Sequence, residues 1–370
     1  MALKIGILTS TRADFGIYIP FLRKLLSDNF FEMEVIAFGT HLSKKNGYTI
    51  NEIAQQGFEI RHRIQTAPEG DTPKNISEAI GHTITKFANF WQYSDYDLVF
   101  ALGDRYEMFA AVSAASPFNI KIAHLHGGET TLGAIDNAYR HSISLMSQYV
   151  FVSTEEYKKR AIAIMQQPEK VFNVGALSVD NLKKTELFSK TEFLERFDID
   201  LNQPTILSTF HPETISLEKN KDYITELLKA FDVLKKSYQI VLTMPNADTM
   251  GLMVRNEITK YAKEKKKIIL VESFGMRGYL SCMKYSSFLL GNTSSGFVEA
   301  SVFPKWVINL GDRQKGRILS KNIFSIPITE SKILETVKII ENSTLPKNMN
   351  IYGDGNSAEK IIRVLKNIYK

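Results

Sequence analysis

Apolar residues along the chain fall into short runs, each followed by a stretch in which they recur at helical spacing. Leu3–Thr9 has the continuous apolar character of a buried strand. Ile17–Ser27 then places Ile17, Phe21, Leu22, Leu25 and Leu26 on one helical face. The same reading predicts strands at Glu34–Phe38, Phe58–Ile64, Leu98–Leu102, Ile120–His124, Tyr149–Val152 and Val171–Val174, with helices such as Ile76–Phe90 and Tyr106–Ala115 between them. Leu182–Gln203 is polar and charged, and the rhythm restarts after it. Strands are expected at Thr205–Thr209, Ile240–Thr243, Ile268–Val271, Phe288–Leu290 and Trp306–Asn309, with helices near 219–236, 247–265, 276–284, 294–301 and 330–342. Gly353-Asp354-Gly355 interrupts the chain before a last amphipathic helix, Ser357–Tyr369. Alternation of this kind predicts an α/β protein with two doubly wound, parallel-sheet domains. Their expected extents are 1–178, with helix 356–370 folding back on it, and 179–355.

The 370 residues suit this division, since about 150 residues make an ordinary domain. A hydrophobic share of 44% and a charged share of 23% exclude a disordered chain, a collagen and a low-complexity polymer. The net charge of +6 is too dilute to point to nucleic acid and suits an anionic small molecule. Cys282 is the single cysteine, so no internal disulfide or cysteine-based zinc site is expected, and a cytoplasmic location is. The apolar start is short and is interrupted by Arg12 and Asp14, which argues against an export segment. No apolar run reaches the roughly 18 residues of a spanning helix, so no membrane partner is expected.

In open α/β sheets, ligands bind beyond the carboxyl ends of the strands, so the residues just after each strand are the candidates. Ser10-Thr11-Arg12-Ala13-Asp14-Phe15-Gly16 lacks the glycines of a dinucleotide loop. Arg12 suits a phosphate, or the segment is a solvated loop with Asp14 as a helix cap. Asp104, in Gly103-Asp104-Arg105, reads as a helix cap or as part of an ion-pair network with Arg105. His124 and His126 at i, i+2 would share a strand face, but no third ligand is set by spacing, so metal is the weaker reading. Acid–base chemistry is the stronger one, from His126 with Glu129 and Asp136 around the Gly127-Gly128 turn, ahead of Arg140-His141. In the second half, His211, Asn246, Ser273, Phe274 and Asn292 follow strands. Ser294, Ser295 and Gly296 would open a helix whose amide groups bind phosphate, or merely cap it; Glu299, one turn on, would reach a ribose diol.

Taken in order, these segments resemble the hydrolysing UDP-N-acetylglucosamine 2-epimerases over nearly the whole chain. Thr11–Gly16, Gly103-Asp104-Arg105, His124–Glu129, Gly133–Asp136, Arg140-His141, Thr209–Pro212, Pro245-Asn246, Gly291–Gly296 and Asn309–Arg317 carry the resemblance. It implies two Rossmann-like domains facing across a cleft, the glycosyltransferase-B fold, and a homodimer or homotetramer. It also implies elimination of UDP to a 2-acetamidoglycal, then addition of water to give the free 2-epimeric sugar, with no cofactor and no metal. Asp104 and Asp136 match the family's catalytic acidic positions, with His126 and Glu129 supplied by the His-x-Gly-Gly-Glu segment. Some relatives carry Glu where this chain has His126. Arg12, His211, Asn246, the Ser273-Phe274 turn, Ser294, Ser295, Glu299 and Arg317 match the nucleotide site, with Asp14, Asn292 and Gly296 inside matching segments. Asp312 and Lys315 depart from the common pattern.

The residue types suit that chemistry. A helix N-terminus with Arg12, His211 and Arg317 would stabilise a departing diphosphate, and carboxylates would serve as base at C2 and proton shuttle. The substrate taken forward is UDP-GlcNAc, with N-acetylmannosamine as product. UDP-2,4-diacetamido-2,4,6-trideoxyglucose (UDP-N,N'-diacetylbacillosamine) is the alternative sugar. A UDP-sugar-dependent glycosyltransferase is the alternative from another class.

Overall fold

The computed structural model describes residues 2–44, 47–245, 249–263, 265, 267–347 and 350–370. The chain forms two compact units. The first holds Met1–Glu129, Asp136–Lys183 and Tyr352–Lys370, and the second Thr130–Ile135 and Lys184–Ile351.

In the first unit the strands are β1 (Leu3–Thr9), β2 (Phe31–Phe38), β3 (Ile60–Ile64), β4 (Leu98–Leu102), β5 (Ile122–Leu125), β6 (Tyr149–Val152) and β7 (Val171–Asn173). They form one parallel sheet in the order β3-β2-β1-β4-β5-β6-β7. In the second, β8 (Thr205–Thr209), β9 (Gln239–Thr243), β10 (Ile268–Val271), β11 (Phe288–Gly291), β12 (Trp306–Leu310) and β13 (Ile323–Ile326) form another, ordered β10-β9-β8-β11-β12-β13. It too is parallel throughout. Strand order reverses between β1 and β4 in one sheet and between β8 and β11 in the other, and such switch points open a crevice at the strand ends.

The strands read as apolar runs because both faces are covered. Ile206, Ile240, Leu242, Leu290 and Ile308 pack under the helices Asn220–Leu234, Gly251–Ala262 and Glu330–Glu341 on one face. Leu207, Val241, Leu289 and Val307 face Phe193, Phe274 and Met283 on the other. Alternate residues of one strand thus serve opposite layers, as the pleat requires.

Helix Leu177–Lys184 shows why the first unit extends to Lys183 rather than ending at 178. Pro20 lies inside the helix Arg12–Leu26 and has no amide to give the carbonyl one turn back, that of Gly16. The side-chain amide of Asn181 donates to that carbonyl at 2.7 Å. Next to it, the buried Asp180 accepts from the amides of Ser357 and Ala358, both at 2.8 Å, at the start of helix Ser357–Tyr369. Lys24–Glu359 and Lys366–Asp28 ion pairs join this last helix to Arg12–Leu26 and the turn after it. Residues 352–355 accordingly belong with the first unit, not the second.

Other departures from expectation have local causes. The polar stretch after Leu182 also contains the helix Lys190–Phe197, started by a Ser189–Glu192 capping box. Strand β13 is short and half-buried, and gives no clear apolar run. The helix expected over 247–265 begins at Gly251, residues 247 and 248 lying outside the described set. Thr130–Ile135 joins the second unit through Leu132 N–H to the Lys315 carbonyl at 2.8 Å and Ile135 N–H to Thr214 Oγ1 at 2.9 Å. Among the described residues, no helix is long and apolar enough to cross a membrane.

Asp180→Ala removes both anchors of the final helix while leaving Asn181 in place. It should lower the unfolding free energy by about 2–4 kcal/mol. Urea denaturation measures that loss, and hydrogen exchange should show the amides at the start of Ser357–Tyr369 losing protection first.

Candidate functional site

In the first unit the acid–base candidates gather on Arg140, in the helix Asp136–Leu145. The buried guanidinium donates to Asp104 through Nη2 and to Glu129 Oε2 through Nη1 at 3.1 Å. Glu129 is itself buried, and its Oε1 accepts from His126 Nδ1 at 3.0 Å and faces Ser153 Oγ at 3.4 Å. The proton on Nδ1 assigns the tautomer if the ring is neutral, leaving the lone pair on Nε2. That Nε2 is buried and has no hydrogen-bond partner among the described residues. Asp136 opens the helix one turn before Arg140, on the same face. Arg105 pairs with the fully buried Glu107 at 3.1 Å.

Two expectations for this region are corrected. Asp104 does not cap the following helix, because Arg105 occupies the cap position of Tyr106–Ala115 and makes no side-chain cap bond. Asp104 is drawn instead to Arg140. His124 and His126 do not share a strand face either. β5 ends at Leu125, and His126 sits in the left-handed region with φ 65°. His124 stays in the sheet, fully buried, with Nε2 donating to the Gly103 carbonyl at 2.7 Å and Nδ1 accepting from Ser144 Oγ at 2.9 Å. Burial lowers its pKa to about 4 against the opposing Gly103 bond, so it is neutral at pH 7. Its ring ties the β4 end that carries Asp104 to the helix that carries Arg140. Among the described residues, no three His, Cys, Asp or Glu side chains group so as to hold a metal ion.

At the end of β1, Thr11 caps the helix Arg12–Leu26 in a capping box with Asp14. The Asp14 carboxylate also takes the amides of Ser10 at 2.9 Å and Thr11 at 3.1 Å, the Ser10 hydroxyl at 2.8 Å, and the Thr9 hydroxyl. Burial pushes its carboxyl upward, but hydrogen bonding and charge from His41, Thr9 and the Ser10 backbone outweigh this and hold it below its usual range. Its oxygens are therefore spent inside the loop. Arg12 is half-buried, and its guanidinium makes no hydrogen bond or ion pair among the described residues.

The second unit has a clamp across its own switch point. Asn292, after β11, accepts from the His211 amide at 2.7 Å and donates to the His211 carbonyl at 2.8 Å. Gln314 donates to the Asn292 carbonyl at 2.9 Å, and Arg317 Nε donates to Gln314 Oε1 at 2.6 Å. Asn292 therefore positions His211 rather than offering its own amide. The expected helix over 294–301 is split into a 3-10 turn, Ser294–Gly296, and a single turn, Glu299–Val302, with Thr293 and not Ser294 as the cap. Phe297 and Val298 are pulled into the core, and a Cβ on Gly296 would lie 2.9 Å from Val307, so the chain dips toward the sheet there. Ser294 is exposed and Ser295 half-buried at this turn. Phe274 is corrected too. Its ring packs on Phe193 and Phe197 in the core, leaving the exposed Ser273 and the backbone as the accessible part of that turn. Asn246 lies outside the described residues.

A family model described as UDP-N-acetylglucosamine 2-epimerase matches residues 23–366. The chain belongs to the UDP-N-acetylglucosamine 2-epimerase family. It is 33% identical over 371 residues to polysialic acid biosynthesis protein P7 of Escherichia coli, covering 99% of this chain and 94% of that protein. It is 35% identical over 328 residues to the GDP/UDP-N,N'-diacetylbacillosamine 2-epimerase (hydrolyzing) of Campylobacter jejuni, covering 88% and 85%. The crystal structure of UDP-GlcNAc 2-epimerase from Neisseria meningitidis bound to UDP-GlcNAc superposes with a TM-score of 0.82 at 20% identity, over 99% of this chain and 100% of that one. At that identity the likeness establishes the fold.

For this epimerase-family chain, sequence reasoning passed over the residues that hold the candidates in place. His41 and Ser144 lie 20 residues or more along the chain from the side chains they hold, in a turn and on a helix with no motif of their own; Gln314 lies inside the Asn309–Arg317 segment, which carries no sign of its bond to the Asn292 carbonyl. Nothing in the Arg140-His141 pair itself marks Arg140 as the shared partner of Asp104 and Glu129.

Acid should test the His124 assignment. Its folded pKa of about 4 lies below the ordinary 6.5. The unfolded chain therefore binds the proton more readily between these values, and stability is complete above about 6.5 and is lost as pH falls toward 4. The full contribution is about 3 kcal/mol. Urea unfolding across this pH window should show a shallower decline for His124→Asn than for the wild type.

Proposed function

We propose that this protein is a hydrolysing 2-epimerase of a UDP-activated 2-acetamido sugar, acting on UDP-GlcNAc to release UDP and N-acetylmannosamine. The observation that carries the reading is the Arg140 network, which brings Asp104, Glu129 and His126 together with Asp136 one turn away. The hydrogen at C2 is not alpha to a carbonyl and leaves only as the anomeric C–O bond breaks. A base takes that proton, the C–H electron pair forms the C1–C2 double bond, and UDP departs with the C1–O pair. Water then adds at C1 while a proton returns to C2 on the opposite face. Arg140 allows two carboxylates to share one buried network without uncompensated repulsion. Asp104, Glu129, Asp136 and His126 are the acid–base set. Both steps leave the redox level of substrate and product balanced, so no nicotinamide is called for.

The second unit supplies the nucleotide-binding candidates. His211 and Arg317, held through Asn292 and Gln314, with Ser294 and Ser295, are assigned to the diphosphate and uridine, and Glu299 to the ribose diol. Arg12 and Asn246 keep their assignments to the nucleotide from the family pattern. UDP-N,N'-diacetylbacillosamine is the second substrate reading, favoured by the 35% identity to the Campylobacter jejuni enzyme.

Incubation with each sugar nucleotide alone, with no acceptor, should release UDP and the free 2-epimeric sugar from one of them. In deuterated water the product should carry deuterium at C2, and retention of the original hydrogen would overturn the elimination route. Among Asp104→Asn, Glu129→Gln and Asp136→Asn, at least one should lower kcat by about 100-fold or more, and at least one should release the 2-acetamidoglycal. A normal profile in all three would remove the acid–base assignment.

A further inference from the structure

The residues that hold the Arg12 turn include one that no motif picks out. His41 follows β2 in the turn Gly39–Leu42, and its ring is fully buried. Thr9 gives its one hydroxyl proton to Asp14, so its oxygen accepts from His41 Nε2 at 2.9 Å. The second ring nitrogen, Nδ1, meets Thr49 Oγ1 at 2.9 Å. The same ring lies 3.9 Å from the Asp14 carboxylate. The backbone repeats the contact. His41 N–H donates to the Ser10 carbonyl at 3.1 Å, and Thr40 Oγ1 donates to that carbonyl at 3.0 Å. Gly39 makes the approach possible, because it has φ 60° and a Cβ there would sit 3.1 Å from the Ser10 oxygen.

Apart from the Thr49 contact, the polar contacts of His41 and Thr40 converge on Thr9, Ser10 and Asp14, the residues flanking Arg12. Arg12 itself is left without a partner among the described residues. A core imidazole needs one or two hydrogen bonds to be tolerated. This one makes two, sits beside a carboxylate, and braces the turn through its backbone as well.

We propose that His41 is a positioning residue for the diphosphate. It acts through Thr9 and Asp14 to fix the Ser10–Arg12 turn, so that the Arg12 guanidinium is preorganised for the anion. This rests on the assignment of Arg12 to the nucleotide. It deepens that reading by naming a residue remote from the ligand on which affinity depends.

A double-mutant cycle tests the coupling. UDP affinity is measured by calorimetry on the full chain for wild type, His41→Ala, Arg12→Ala and the pair, with thermal melts alongside. His41→Ala should weaken UDP roughly tenfold, the scale of one charge-assisted hydrogen bond. In the Arg12→Ala background the same change should have almost no further effect. A cycle of His41→Ala with Ser295→Ala should instead be additive. His41→Gln, which keeps a donor toward Thr9, should recover most of the affinity. A merely structural histidine would lower the melting temperature and weaken UDP equally with and without Arg12, which would overturn the proposal. So would an Arg12→Ala loss with no His41→Ala loss. If Arg12→Ala leaves UDP affinity unchanged, the fault lies with the Arg12 assignment itself. Should His41→Ala fail to fold, Thr9→Val cuts the same link and carries the same cycle.

Discussion

A parallel strand ends with backbone groups that the ladder no longer satisfies, and the turn that follows has to find other partners for them. Buried side chains meet this need at the ends of both sheets. Asp14 takes the amides of Ser10 and Thr11, His124 donates to the Gly103 carbonyl, and Asn292 bonds both backbone groups of His211. An unpaired buried amide or carbonyl costs about 1–3 kcal/mol, so each of these side chains fixes one conformation of its turn. The candidate chemistry sits on turns held in this way.

The switch points give those turns their meaning. In the first sheet the order reverses between β1 and β4, whose ends carry Arg12 and Asp104. In the second it reverses between β8 and β11, whose ends carry His211 and Ser294. Adjacent strands at a reversal send their crossovers to opposite faces, so the loops part and leave a crevice. Two polar devices in this family member lie beside such crevices, the Asp14–Thr9–His41 cluster and the Asn292 clamp.

Arg140 organises charge rather than backbone. Removing it would leave Asp104 and Glu129 without their shared cation, and a buried unpaired carboxylate is among the more destabilising defects a core can carry. Glu129 is also tied to His126, so the imidazole and the guanidinium hold the same carboxylate by its two oxygens.

The two doubly wound units, most of their strands and helices, and the segments that carry the candidate chemistry follow from the sequence by itself. Apolar runs of strand length alternating with helical periodicity admit little else, and polar residues clustered just after those runs mark the ends where ligands bind. Tertiary structure decided what each polar residue does. Asp104 was legible as a cap and turned out to pair with Arg140, 36 positions away. Asp14 was legible as a helix cap and serves in a capping box, while the Asn292 side chain is spent on the backbone of His211. Ser294 was legible as a helix start, yet the helix breaks because Phe297 and Val298 belong to the core. Local pattern records which residues are polar and which face of an element is apolar. The partner of a buried polar group is set by which strands lie side by side, and that is written in no segment of the chain taken alone.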